Sequence, residues 1–161
     1  MEDKRITKTK RALKSALLEL LTTQAFDVIS ITELCKIANV SRITFYTHYK
    51  DKFALLDDIF NDMLIIGKEG YHRRQEENNP ENNLTQGYLN VLDSILSLYY
   101  ERYDFFQHVV PETNPYLAFR FYRILLDTVE SHTDKLKASY SLKYSARQIA
   151  GFICFGLFGF I

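Results

Sequence analysis

Residues 30–52 read SITELCKIANVSRITFYTHYKDK, and this stretch decides how the amino end of the chain folds. Ser30 and Glu33 have the spacing of a capping box, which predicts a helix that begins at Ile31. Asn39 follows the apolar positions of that helix, and asparagine tolerates the left-handed backbone that ends a helix. The stretch therefore begins with one short helix and a tight turn.

A second short helix is predicted to begin after Ser41, another candidate N-cap, and to run to about Tyr49. Phe45 and Tyr49 lie four positions apart and should both face inward. The remaining side chains then face outward and suit a DNA duplex, because arginine can pair with guanine edges and hydroxyl or ring N–H groups can donate to phosphates. The candidate DNA contacts are Ser41, Arg42, Ile43, Thr44, Tyr46, Thr47 and His48, together with Lys52, which is expected to reach a phosphate from the first turn of the next helix.

Ile43 differs from the other outward residues because it is apolar. It would direct an aliphatic side chain towards the major groove, where a thymine methyl group could receive it. Two short helices at this spacing are a helix-turn-helix, although any small helical bundle can turn a corner in the same way.

These residues resemble the DNA-binding domain of the TetR family of bacterial transcription regulators. In that family a helix-turn-helix ends in a Tyr-x-His-aromatic element and a lysine, which here are Tyr46, His48, Tyr49 and Lys52. The resemblance extends upstream to about residue 7, and the run SRITFY with the following Asp-Lys pair is similar to the branch that includes regulators of dihydroxyacetone kinase operons. The chain departs from many relatives at Asn39, where they have glycine.

The resemblance implies an all-α protein with an N-terminal three-helix helix-turn-helix domain and a C-terminal helical bundle. It also implies a homodimer that binds a double-stranded operator, represses transcription by default and responds to a small-molecule effector. In the family the last two helices form the dimer interface. This chain ends within the first of them, so the last helix is expected to be missing.

Charge is distributed unevenly along the 161 residues, although the formal net charge is zero. Residues 1–53 contain ten Lys and Arg against six Asp and Glu, an excess of four positive charges, and residues 54–161 carry the opposite excess. A basic amino-terminal part favours a polyanionic partner. We therefore expect a DNA-binding domain at 1–53 and a ligand-binding and dimerisation domain at 54–161.

The cysteines and histidines do not have the spacing of a metal site, and no metal or cofactor is expected. Cys35 and Cys154 both lie in apolar helical patterns, which predicts two buried, reduced thiols in a cytoplasmic protein. No signal peptide is visible, and no nucleophile–base pair or carboxylate dyad indicates an enzyme.

Helical periodicity and composition predict five further helices and one polar linker around this motif. The first helix runs at about 7–24, with Leu13, Ala16, Leu17, Leu20 and Leu21 inward, and a linking helix follows at 52–74. A polar linker at 75–83 then leads to a helix at 84–100, with Leu89, Leu92, Ile95, Leu96 and Tyr99 inward. A short helix at 103–110 precedes a helix from about Pro115 to 134, whose inward residues are Phe119, Tyr122, Leu126 and Val129.

The carboxyl-terminal part is aromatic, with 15 of the 23 aromatic residues in 99–161. Some of these side chains have polar tips, as a small-molecule pocket requires, although a packed core with tyrosine hydroxyls at its rim would look the same in sequence. The candidate ligand-binding residues are Tyr99, Tyr103, Phe106, His108, Tyr116 and Tyr122.

The run IAGFICFGLFGFI at 149–161 has no polar side chain and is too short to span a membrane. A helix that is apolar all round must be covered on all sides, so one half is expected to pack on the body and the other on a second copy. The candidate dimer-interface residues are Phe152, Phe155, Phe158 and Gly159. The alternative to a DNA-binding regulator is a helical ligand carrier or protein-interaction module that keeps this fold without binding DNA.

Overall fold

The computed structural model describes residues 4–136 and 141–160, and within these ranges the chain forms helices and no strand. The helices are α1 (Lys4–Leu21), α2 (Ile31–Ile37), α3 (Arg42–His48), α4 (Lys52–Asn78), α5 (Leu84–Glu101), α6 (Tyr103–Phe106), α7 (Pro115–Leu136) and α8 (Ala146–Phe160), with a 3₁₀ helix at Phe26–Val28. The side chains of Leu136, Phe158 and Phe160 are not described. The predicted all-α class is confirmed.

The amino-terminal helices α1, α2 and α3 and the start of α4 enclose one core. The predicted inward stripe of α1 is buried at all five positions, although α1 begins and ends three residues earlier than predicted. Leu13 and Leu17 from α1 meet Leu34 from α2, Phe45 from α3 and Leu55 from α4 in this core, and all five side chains are fully buried. The position of α3 is therefore fixed by buried apolar contacts on its inner face.

Helix α4 continues four residues beyond the predicted end, so the polar linker at 75–83 is wrong in its first half. The reason is a contact from α5: the fully buried Asn90 donates from Nδ2 to Gln75 Oε1 at 2.5 Å and to Asn78 Oδ1 at 2.8 Å. Asn79 then holds the turn, because its Oδ1 accepts from the backbone N–H of Asn83 at 2.6 Å. Polar side chains that suggested a linker thus stabilise a helical hairpin.

The carboxyl-terminal helices form two antiparallel pairs, α4 with α5 and α7 with α8. Leu126 and Val129 of α7 are buried as predicted, whereas the predicted inward residues Leu89 of α5 and Phe119 of α7 are exposed to 47% and 58%. Asn90 and Phe121, one and two positions further along, are buried instead. Both helices have apolar or aromatic side chains on more than one face, so periodicity selects poorly among them. The short helix α6 ends at Phe106 rather than at residue 110.

Both cysteines are buried and neither forms a disulfide, as predicted. Burial raises the pKa of the Cys35 thiol in α2 and raises the pKa of the Cys154 thiol in α8 to about 11. In the part of the chain that the structure describes, none of the helices combines the length and the apolar character that crossing a bilayer requires.

Candidate nucleic-acid interface

Local hydrogen bonds fix the turn between α2 and α3. Ser30 Oγ accepts from the backbone N–H of Glu33, and Glu33 Oε2 accepts from the backbone N–H of Ser30 at 2.9 Å, so the predicted capping box is present. The hydrogen bonds from Ser30 are the main reason that the pKa of the Glu33 carboxyl is lowered. Asn39 adopts φ 53°, the left-handed conformation predicted for it, and Ser41 Oγ caps α3 by accepting from the backbone N–H of Thr44 at 3.0 Å.

Helix α3 has one buried and one exposed face. Phe45 is fully buried and Tyr49 is 5% exposed, as predicted, whereas Ile43 is 80% exposed and Tyr46 is 49% exposed. The full set of candidate DNA contacts divides by exposure: Ser41, Arg42, Ile43, Tyr46 and Thr47 are exposed, and Thr44, His48 and Lys52 are half-buried. The helix therefore presents a continuous surface at its amino-terminal end.

The hydroxyl groups of Ser41, Thr44 and Thr47 are largely engaged within α3 and its cap. Thr47 Oγ1 donates to the carbonyl oxygen of Thr44 at 2.7 Å. Ser41 Oγ and Thr44 Oγ1 lie 2.9 Å apart, so one of these hydroxyls donates to the other. A hydroxyl has a single proton to donate, so Thr47 as it stands has none for a phosphate oxygen, and Ser41 and Thr44 have one between them. Phosphate contacts by these hydroxyls are thus fewer than the sequence suggested.

Lys52 has a different environment from the one predicted. Its Nζ donates to the carbonyl oxygens of Phe26 at 2.9 Å, Asp27 at 2.7 Å and Ile29 at 2.8 Å, and it lies 5.0 Å from the centroid of the Phe26 ring. An ammonium group has three N–H donors, so all of them are used. Burial lowers the pKa of Lys52, and the nearby Asp27 carboxylate partly offsets that effect. The ammonium group therefore fastens the start of α4 to the segment between α1 and α2. The expected phosphate contact of Lys52 stays a prediction, and it would have to replace one of these acceptors.

Asp58 in α4 joins α3 to α1. Its Oδ2 accepts from the Tyr49 hydroxyl at 2.6 Å and lies 3.1 Å from Lys14 Nζ, which also contacts Asp62 Oδ2 at 2.5 Å. Burial by itself raises the pKa of Asp58, but the hydrogen bonds from Tyr49 and Lys14 outweigh it and lower the pKa. Lys14 is thus neutralised by α4, whereas Lys8 and Arg11, nearer the start of α1, are exposed.

A second junction, which sequence reasoning missed, links the amino-terminal helices to α7. The side-chain Oδ1 of the buried Asn114 accepts from the backbone N–H of Phe26 at 2.7 Å. The Phe26 ring stacks on Tyr116 with centroids 5.6 Å apart, and Phe53 packs edge-on against both rings. Asn114 directly precedes Pro115, and an asparagine before a helical proline signals an N-cap rather than a contact with a segment 88 residues away.

A cavity of about 510 Å³ lies between α4, α5 and α7. Its walls are mainly apolar, with Phe60, Met63, Val91, Phe121 and Leu125 among the lining side chains, and Tyr71 and His132 contribute polar groups. His132 Nδ1 lies 3.3 Å from the Tyr71 hydroxyl, and burial lowers the pKa of His132. An apolar cavity with a few polar groups has the character of a small-molecule site.

The six predicted ligand-binding residues do not converge on that cavity, and only Phe106 lines it. Tyr99 forms an aromatic cluster with Tyr103 and Phe106, whose ring centroids lie 5.9 Å and 5.6 Å from its own, respectively. Tyr116 belongs to the junction with Phe26, and Tyr122 packs against Phe155 of α8 at 5.6 Å. His108 is half-buried outside the cavity, and burial lowers its pKa. The structure thus does not bring the six residues together at this cavity, because helix directions separate residues that one composition signal had grouped.

Helix α8 is covered on one side only. Ala150, Cys154 and Leu157 are buried against the body, whereas Phe152 and Phe155 are 84% and 71% exposed. Gly159 is also exposed, and the side chain of Phe158 lies outside the described residues. The half of α8 predicted to face a second copy is therefore uncovered in the single chain.

Two of the comparisons with known proteins give matches. No family model matches the chain. A segment of 58 residues is 40% identical to the uncharacterized HTH-type transcriptional regulator YxbF of Bacillus subtilis (strain 168), and this match involves 36% of the present chain and 14% of the length of that protein.

Two solved structures align with most of this chain. One is that of the dihydroxyacetone kinase operon activator DhaS, with a TM-score of 0.53, 23% identity, and coverage of 91% of this chain and 80% of the other. The other is that of a TetR transcriptional regulator from Streptococcus agalactiae 2603V, with a TM-score of 0.37, 20% identity and coverage of 95% of both chains, a score at which the likeness has no weight. The chain is an all-α protein that shares the fold of the dihydroxyacetone kinase operon activator DhaS, with a helix-turn-helix unit at its amino end.

Proposed function

We propose that the protein is a sequence-specific, DNA-binding transcription regulator that acts as a homodimer in the cytoplasm. The observation that carries the proposal is the exposed face of α3, where Arg42, Ile43 and Tyr46 project from a helix whose opposite face is fixed by Phe45 in the core. The match of 58 residues to an HTH-type transcriptional regulator supports it. In this proposal residues 1–53 bind the operator, and residues 54–161 bind an effector and dimerise.

The proposed DNA contacts are of two kinds. The amino-terminal end of α3 enters the major groove, where Arg42, Ile43 and Tyr46 meet base edges. Exposed cations at the start of α1, Lys8 and Arg11, contact phosphates beside the groove. Two copies then bind half-sites separated by about one helical turn, roughly 34–36 Å, or a multiple of it.

The proposed dimer uses the uncovered half of α8, with Phe152, Phe155 and Gly159 at its surface and Phe158 next to them in sequence. Two exposed phenylalanines on one helix face are costly in water and favour a partner surface. Replacing Phe152 and Phe155 by aspartate should give a monomer in sedimentation analysis with unchanged helicity. A chain that is monomeric before the replacement would refute this interface.

The proposed effector occupies the cavity between α4, α5 and α7 and is a small molecule with a largely apolar body. Helices α4 and α7 both extend from this cavity to the segment around Phe26, through Lys52 and Asn114. A ligand that shifts either helix changes operator affinity, and the operator changes ligand affinity by the same factor. Repression is the proposed default, and the protein has no catalytic step in this proposal.

The test is binding to the promoter beside the protein's own gene, compared with random duplex at several salt concentrations. Specific binding should be at least a hundredfold tighter, and Arg42→Ala should reduce the preference for the promoter. Arg73→Ala is the matched control, because Arg73 is an exposed arginine near the far end of α4 and its loss should change neither affinity nor preference. If the promoter binds no more tightly than random duplex, the cavity favours the alternative of a ligand-carrier module.

A further inference from the structure

Ile43 is an unusual residue for an exposed helical surface. It is 80% exposed in the second position of α3, and it stands between Arg42 and Thr44 on a face whose other apolar surface is the ring of Tyr46. Its side chain cannot contribute to the core, because Phe45 occupies the inward direction and is fully buried. An aliphatic group placed alone among polar ones therefore contributes nothing visible to folding.

The conformation of Ile43 suits recognition. A β-branched side chain in a helix strongly prefers one χ1 rotamer, so little conformational entropy is lost when it is held against a partner. Residues near the amino-terminal end of a recognition helix are the ones that reach base edges in the major groove. Ile43 thus presents a preformed methyl surface at the position where bases are read.

The polar neighbours of Ile43 have less to offer. Thr47 donates its hydroxyl proton to the carbonyl of Thr44, and one of the Ser41 and Thr44 hydroxyls donates to the other in the cap of α3. The larger groups that this end of the helix offers for base recognition are therefore the Arg42 guanidinium, the Ile43 aliphatic group and the Tyr46 ring. Of the groups on base edges in the major groove, the one that an aliphatic side chain prefers is the C5-methyl group of a pyrimidine.

We infer that Ile43 determines specificity by packing against the C5-methyl group of a pyrimidine at one position of each operator half-site. This inference rests on the proposed function, since it names the base that the proposed DNA-binding surface selects. In unmodified DNA the methyl group belongs to thymine, and 5-methylcytosine offers the same group on a different base pair.

The experiment begins with selection of bound duplexes from a randomised pool, and each thymine of the selected half-site is then replaced by deoxyuridine. This replacement removes one methyl group and leaves the hydrogen-bonding edge unchanged. Burial of a group of this size corresponds to about a fourfold change in Kd, so the loss at two symmetric half-sites should be about fifteenfold. For Ile43→Ala the thymine and deoxyuridine duplexes should bind equally, and Ile43→Val should give an intermediate ratio.

Two control variants and a second pair of duplexes test whether the discrimination depends on Ile43 and on the methyl group. Val28→Ala and Ile65→Ala remove exposed aliphatic side chains outside α3, at 66% and 56% exposure, and should keep the full discrimination between thymine and deoxyuridine. At the same position, a cytosine pair should bind more weakly than a 5-methylcytosine pair for the unaltered protein and equally for Ile43→Ala. That outcome would assign the effect to the methyl group whichever base carries it.

Two results would overturn the inference in distinguishable ways. If the pool yields no preferred sequence, both the proposed function and this inference fail. If a preferred sequence is found but deoxyuridine binds as well as thymine at every position, or if discrimination persists in Ile43→Ala, the inference fails alone and the DNA-binding function stands.

Discussion

Replacing Lys52 by methionine separates a structural role of its ammonium group from a role in binding a DNA phosphate. Lys52→Met keeps most of the aliphatic side chain and removes the ammonium group. The structure predicts that this change destabilises the fold, because Nζ donates to three carbonyls between residues 26 and 29. A phosphate contact would instead leave the fold unchanged and weaken DNA binding.

The expected loss can be worked from the three hydrogen bonds. A hydrogen bond to a charged group contributes about 1.5–3 kcal/mol net, and the bond to Asp27 is exposed, so water can replace it. The other two are partly buried, and desolvation of the ammonium group offsets part of their contribution, as its lowered pKa indicates. We therefore expect the free energy of unfolding to fall by about 2–3 kcal/mol, which lowers Tm by roughly 5–10 °C for a chain of this size.

The assay is urea and thermal unfolding followed by circular dichroism, with Lys50→Met as the matched control. Lys50 is exposed and lies two positions before Lys52. Its replacement by methionine removes the same charge and should change the free energy of unfolding by less than about 0.5 kcal/mol. In DNA binding, Lys52→Met should leave the salt dependence as steep as in the unaltered protein. The reasoning is refuted if Lys52→Met is no less stable than Lys50→Met, or if it lowers the salt slope by about one.

Three further predictions concern the framework of the interface. Asp58→Asn should cost about 1–2 kcal/mol at pH 7. Because the pKa of Asp58 is lowered in the folded state, its contribution is complete above the unfolded pKa of about 4 and is lost as the pH falls through the folded value. The difference from the unaltered protein should therefore shrink steadily below about pH 4 in urea titrations. Asn114→Ala should cost about 1–3 kcal/mol because the buried N–H of Phe26 loses its acceptor, and Thr113→Ala in the same assay should cost little; equal costs would contradict the junction. Asn39→Ala should destabilise by about 1 kcal/mol whereas Asn39→Gly should not, since φ is 53°, and equal unfolding midpoints would argue against a strained turn.

The parts of the site that depend on neighbours in sequence could be predicted. The Ser30 and Ser41 caps, the left-handed Asn39 and the inward Phe45 all follow from interactions within four residues, and the structure has each of them. Such signals need no knowledge of the rest of the chain. The exposed face of α3 is predicted correctly for the same reason, because it consists of the residues that remain once the inward positions are assigned.

The parts that depend on distant segments could not be predicted. The acceptors of Lys52 lie 23 to 26 residues upstream, and the partner of Asn114 lies 88 residues away. Periodicity within α4 predicts an end at residue 74, four residues before the observed one, because the Asn90 amide that stabilises the last turn of α4 belongs to α5. Aromatic composition indicated the region of the cavity but not its lining, since the composition of α5 and α7 does not determine which face of each helix is buried.

The two buried thiols have a practical consequence. Cys35 lies in the amino-terminal core and Cys154 in the carboxyl-terminal one, and each is almost completely excluded from solvent. A thiolate attacks an alkylating reagent only where the reagent can reach it, so each cysteine reacts only when its own surroundings open. The rates of alkylation at the two positions therefore report, without any engineered label, whether the part of the molecule around α1, α2 and α3 opens independently of the rest or only together with it.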